Sequence, residues 1–219
     1  MMSKKVVLWG ASNHALVVAD IIRLRGEYEL VGFLDDINLE RHDESFCGAV
    51  VLGGREQLEL LKARDVSYVM MAFGNNRARL TLAEIARKKG YQLATALHPR
   101  AVIASDVRIG AGTVVMGGAV INPGVVVGEN VIVNTAAIVE HGCKIHEGAL
   151  VNAGTLLSGN VTVGRAATVE VGAIVGSNLS IGADAIIGAG SVVLKDIPEG
   201  VVVYGSPAKV IRRIRQANY

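Results

Sequence analysis

His141 stands between an acid and a glycine in the run Glu140-His141-Gly142-Cys143. Imidazole titrates near neutrality, so it suits the work of taking a proton from an attacking nucleophile. Three further groups have chemistry-bearing composition: Gly10-Ala11-Ser12-Asn13-His14, Asp35-Asp36 and Gly74-Asn75-Asn76-Arg77-Ala78-Arg79. The first leads into a helix N-terminus, where backbone N–H groups favour a phosphate. It lacks the GxGxxG dinucleotide fingerprint, which argues against a dehydrogenase. An acid after a second strand commonly reaches a ribose hydroxyl or a base N–H. Arg77 and Arg79 have the charge to meet a phosphate.

The elements that must position these groups fall into two kinds. From Ile103 to Val193, every sixth residue is Ile, Val or Leu, sixteen in succession. Chance would give that run with odds of roughly 10⁻⁸ if a third of positions were aliphatic. Three residues after most of these aliphatics comes Gly, Asn or Asp, which tolerate the positive φ of a sharp corner. Four residues after comes a small residue, Cys143 among them. The period predicts a parallel β-helix whose aliphatics stack inward, each contributing about 1.5–3 kcal/mol. No rung buries its face alone, so the array stands or falls together. His141 lies two residues past the inward Val139, at a corner with its ring outside the core. Cys143 is in the inward phase and reads as core, not as a nucleophile.

Before this repeat, strands and helices alternate. Strands are expected at Lys5 to Trp9, Leu30 to Leu34, Val50 to Leu52, Tyr68 to Ala72 and Gln92 to Ala96. Helices are expected at Ala15 to Leu24, Gln57 to Lys62 and Arg79 to Lys89. That order predicts a parallel sheet with ligands at the carboxyl ends of its strands. The expected domains are 1–97, a Rossmann-like α/β unit, and 98–219, the β-helix with a C-terminal tail.

Composition agrees. Apolar residues make up 51% of the 219 and aromatics only 4%, so the core must be built from Val, Ile, Leu and Ala. A net charge of +2 with no basic block argues against a nucleic-acid partner. The densest basic run, Lys209, Arg212, Arg213 and Arg215, reads as a solvated tail. Two cysteines far apart make no disulfide framework. No apolar run reaches about 18 residues, and a cytoplasmic protein with no membrane insertion is expected.

Across nearly the whole chain, motif order resembles the sugar O-acyltransferase family of the sialic acid O-acetyltransferase type. Within it the chain is most similar to the N-acetyltransferases of nucleotide-linked 4-amino-sugars. The matching runs are Leu8 to His14, Gly32 to Asp36, Ala72 to Arg77, His98-Pro99, Asn134-Thr135, Glu140 to Cys143 and Gly205 to Lys209. The resemblance implies a left-handed β-helix of about five coils that binds acetyl-CoA, an N-terminal domain that binds the nucleotide-sugar, and a homotrimer. It implies acetyl transfer to an amino group, with C4 of the sugar expected, in bacterial surface glycan synthesis. The alternative acceptor is a sugar hydroxyl. By the same carry-over His141 is the general base and the Gly159 amide the oxyanion hole. Gly10, Ser12, His14, Asp35, Asp36, Asn76 and Asn134 would contact the nucleotide-sugar. Gly159, Val171, Ala189, Pro207 and Lys209 would contact CoA. No metal is expected.

Two positions depart from the family pattern. The acid that often follows the base is replaced by Gly142, and a CoA-contacting His nine residues after the base is replaced by Leu150. Without an acid at 142, no charge is expected to support the base from that position. Two other classes also use a β-helix. A zinc carbonic-anhydrase-like β-helix would use His141 and His146 with a third histidine two coils upstream, where this chain has Ser105. A non-catalytic β-helix partner protein would bind no CoA.

Overall fold

A computed structural model describes residues 4–214. The chain parts into two compact units, Met1–Pro99 and Arg100–Tyr219.

The first unit contains β1 (Lys4–Trp9), α1 (Asn13–Arg25), β2 (Tyr28–Leu34), β3 (Ser45–Phe46), β4 (Ala49–Val50), α2 (Leu58–Ala63), β5 (Tyr68–Met71), α3 (Asn76–Lys88), β6 (Gln92–Leu93) and β7 (Ala96–Leu97). One sheet has the order β2-β1-β5-β6, with every neighbouring pair parallel. Its central strands are continuous apolar runs, as a sheet buried on both faces requires: Val6, Val7, Leu8, Val69 and Met70 are fully buried. Because β1 has β2 on one side and β5 on the other, its carboxyl end is the topological switch point, where ligands of such sheets bind. α1 begins there. It ends at Gly26, in the left-handed region with φ 64°, and Arg23 and Arg25 face the negative end of its dipole. α3 is capped by Asn75, whose side chain accepts from the Ala78 N–H at 2.9 Å.

The strand expected at Val50 to Leu52 is instead half of a small antiparallel hairpin, β3 with β4. Val51 adds only a single parallel bridge to Phe33. Cys47 and Gly48, both at positive φ, turn the chain back on itself there.

In the second unit, short strands pair in parallel with partners 18 residues on, such as Val114 with Ile132, Val120 with Ile138 and Val126 with Lys144. Three hexads therefore close one coil, and the β-helix is a three-sided prism. The face that starts at Val102–Ile103 stacks six strands, and the face that starts at Arg108–Ile109 stacks five. Val115, Val133, Val139, Val151, Val163, Val169, Val175 and Ile187 are fully buried inside it. Most corners turn at Gly, Asn or Asp, but Ala136 and Ala166 make the same turn at φ 55° and 54°.

The repeat closes with a shortened hexad, in which Ile197 bridges to Ile181. The chain then folds back as an antiparallel hairpin, Val201–Gly205 with Ala208–Arg213. Lys209, Arg212 and Arg213 thus sit on a strand, not on the solvated tail expected, and Arg215 lies outside the described residues. No helix among the described residues is long and apolar enough to cross a membrane.

Candidate active site

Each coil presents three corners. The corner after the six-strand face carries residues 140–143, then 158–161 one coil on. Backbone bonds lock these levels together: the Asn160 N–H donates to His141 O at 2.9 Å, and the Glu140 N–H to Leu157 O at 2.9 Å. This stacking sets the His141 imidazole directly over Gly159. A side-chain carbon on Gly159 would lie 2.7 Å from both Cε1 and Nε2 of the ring. Glycine leaves room for the ring in this position. Gly159 O accepts from the Asn178 N–H at 2.9 Å, while its own N–H donates to no acceptor among the described residues. The ring itself is 67% exposed. An exposed imidazole edge beside a free backbone N–H is the pairing that acyl transfer requires.

A carboxylate that the sequence reading did not single out stands near this ring. Glu140 Oε2 lies 3.6 Å from His141 Nδ1. The acid near this histidine precedes it in sequence instead of following it. Cys143 is fully buried and donates to Ser158 O at 3.2 Å. Burial pushes its thiol pKa up, which fits the core role.

The corner before the same face carries Asn134, and above it Asn152, Glu170 and Gly188 at 18-residue steps. Asn134 donates to Asn152 Oδ1 and Asn152 to Glu170 Oε2, each at 2.8 Å. Glu170 only accepts, so it fixes which way both amides point. Val171 and Ala189 are stacked and exposed on this corner, with the Gly190 N–H donating to Val171 O at 2.9 Å. Gly188 is covered by the Tyr204 ring, and Pro207 and Lys209 are exposed on the closing hairpin. Within one chain, then, His141 and Gly159 share one corner, while Asn134, Val171 and Ala189 share another. His146 occupies the third corner, away from His141.

Between these two corners lies a face whose outward residues are Val102, Val120, Ile138, Leu156, Ile174 and Val192. Val102, Ile138 and Ile174 are 64%, 37% and 42% exposed. The equivalent outward positions of the next face are mostly polar: Arg108, Val126, Lys144, Thr162 and Ser180.

In the first unit, Gly10, Ser12 and His14 lie at the switch point. Gly10 sits at φ 122°, and a Cβ there would come within 2.9 Å of Ala72 O, so the turn needs glycine. His14 Nε2 is buried and has no hydrogen-bond partner. Burial, helped by the positive charge of Arg79, lowers the His14 pKa to about 4. The ring is therefore neutral at pH 7, with one nitrogen still to be satisfied.

The neighbouring charges behave differently from the sequence expectation. Asp35 accepts from the Ile37 and Asn38 N–H groups at 2.9 and 3.1 Å, from Asn38 Nδ2 at 3.2 Å and from Arg41 at 3.5 Å. Burial raises its pKa, but those donors and Arg41 outweigh it and the net shift is downward. Asp36 accepts from Trp9 Nε1 at 3.2 Å, from the Arg55 N–H at 2.7 Å, and from Arg55 Nε and Nη2 at 3.0 and 2.7 Å. Both carboxylates, expected to contact the nucleotide-sugar, also hold together the loop that borders the switch point. Arg79, expected to meet phosphate, is 1% exposed and donates to Gly74 O and Asn76 Oδ1, both at 2.9 Å. It buttresses the turn that carries Asn76.

The comparisons with known proteins agree with this geometry. The family described as "PglD N-terminal domain" matches residues 5–86. The UDP-N-acetylbacillosamine N-acetyltransferase of Bacillus subtilis (strain 168) is 34% identical over 115 residues, a match that spans 52% of this chain and about half, 51%, of that protein. Among solved structures, the H141N mutant of perosamine N-acetyltransferase from Caulobacter crescentus, in complex with CoA and GDP-perosamine, superposes with a TM-score of 0.89 at 36% identity, covering 95% of this chain and 97% of that one. The acetyltransferase domain of PglB from Neisseria gonorrhoeae FA1090, in complex with acetyl coenzyme A, gives a TM-score of 0.89 at 37% identity, covering 95% and 100%. With a parallel-sheet unit, a hexapeptide β-helix and relatives matched end to end, the chain belongs to the family of nucleotide-linked amino-sugar N-acetyltransferases.

Proposed function

We propose that this protein transfers an acetyl group from acetyl-CoA to the amino group, at C4, of a nucleotide-linked amino-deoxy-sugar. The observation that carries the reading is the His141 ring seated over Gly159 beside an unengaged N–H. The amine nitrogen attacks the thioester carbonyl while His141 Nε2 accepts its proton. The Gly159 N–H donates to the oxyanion, and collapse expels the CoA thiolate, which takes the proton from the imidazolium. Two of the named proteins are N-acetyltransferases, one of them in complex with CoA and GDP-perosamine, which favours nitrogen over oxygen as acceptor.

The first unit, expected over residues 1–97, holds the nucleotide-sugar through Gly10, Ser12, His14 and the Asn76 turn, with Asp35 and Asp36 shaping its border. The β-helix, expected over 98–219, supplies the acyl-transfer corner and the CoA contacts Val171, Ala189, Pro207 and Lys209. Those contacts and His141 lie on different corners, so one chain alone does not assemble the site. The exposed aliphatic face between the corners is where a second copy docks, and a homotrimer completes the arrangement. In it, Asn134 faces the reacting sugar.

Steady-state kinetics of His141→Ala and Gly159→Ala test this reading. His141→Ala should lower kcat by about 10²–10⁴-fold with both KM values little changed. Gly159→Ala should do comparable harm by pushing the ring aside. Near-normal kcat in His141→Ala would overturn the assignment of the base.

A further inference from the structure

Related enzymes often place an acid directly after the base, and this chain has Gly142 there. The structure gives a reason. Gly142 turns the corner at φ 70°, and a Cβ on it would run into Asn160 Oδ1 of the next coil. That amide is itself anchored, with Asn160 Nδ2 donating to Asn178 Oδ1 at 3.1 Å. A side chain at position 142 would have to displace that amide.

Glu140 is placed to supply a carboxylate. Its backbone is pinned by the bond to Leu157 O, and its Oε2 stands 3.6 Å from His141 Nδ1. The opposite edge of the ring, Cε1 and Nε2, is the one that lies over Gly159. The imidazole is therefore held with one nitrogen toward a carboxylate and the other toward the acyl-transfer position. No other charged group pairs with His141 among the described residues. The coil below presents Pro123 and Gly124 at this corner, and the coil above presents Gly159 and Asn160, none of them ionisable.

We infer that Glu140 is the positioning residue of the base in this enzyme, in place of an acid at position 142. It keeps the proton on Nδ1, leaves the Nε2 lone pair for the substrate amine, and stabilises the imidazolium formed when the amine proton arrives. The inference rests on His141 being the base.

A double-mutant cycle separates the two claims. Glu140→Gln keeps size and removes charge on a partly exposed side chain. It should lower kcat about tenfold or more, less than His141→Ala does, with both KM values unchanged. Added to His141→Ala, Glu140→Gln should cost nothing further, since it acts only through the ring. Full kcat in Glu140→Gln, or an equal loss in both backgrounds, would overturn the role of Glu140 while leaving the base in place. Near-normal kcat in His141→Ala would overturn both.

Discussion

At the scale of single residues, glycines matter here as openings. Gly159 exists so that an imidazole can lie across it, and Gly142 because an amide from the next coil fills its side-chain space. His14 shows the opposite strategy, a polar ring forced into a tight place. Its folded pKa of about 4 lies below the value of 6.5 expected in the unfolded chain. Between those values the unfolded state binds a proton that the folded state does not, so stability is lost as pH falls through that window. The loss has a ceiling of roughly 3 kcal/mol at the acidic end. Denaturant melts at pH 7 and pH 4.5 should therefore differ by less in His14→Gln than in wild type. An identical acid loss in the two proteins would show that His14 does not titrate in this way.

At the scale of elements, the corner is the working unit. The contact between Gly142 and Asn160 implies that Gly142→Asp lowers the melting temperature, although Asp is at ease at positive φ. Pairing it with Asn160→Gly, which accepts the φ of 60° at that position, should recover most of the loss. If Gly142→Asp alone melts like wild type, the amide is free to move aside and the crowding is unimportant. The hexads were legible because each coil repeats one physical demand, an inward aliphatic every six residues. Ala136 and Ala166 turn without a turn former, since the coils above and below fix the path of the backbone. Handedness was not legible from spacing and came only from resemblance. The corner position of His141 was readable from phase, while the roles expected of His141 and Gly159 came only from resemblance. The Glu140 contact was hidden because a neighbour in sequence faces the ring only if the corner turns as it does. The loop roles of Asp35 and Asp36 were hidden because they depend on Arg41 and Arg55, which no local motif links to them. The closing hairpin was missed because a basic run also fits a solvated tail.

At the scale of the whole molecule, the distribution of groups over the prism points beyond one chain. Six outward aliphatics on one face, flanked by the His141 corner and the Val171 corner, form a surface that the hydrophobic effect drives together. Ile138→Glu, in the middle of that stripe, should shift the light-scattering mass from three subunits toward one and abolish turnover, with circular dichroism unchanged. A fully active monomer would remove the need for a shared site. The central claim is the reaction itself. Its most direct measurement is free-thiol release from acetyl-CoA with a panel of UDP-, GDP- and dTDP-linked 4-amino-sugars, with the sugar product weighed by mass spectrometry. The expected result is thiol release with at least one member, matched one for one by an N-acetylated product and lost in His141→Ala. CoA binding without acetyl transfer to any amino-sugar, or transfer only to a sugar hydroxyl, would contradict the account.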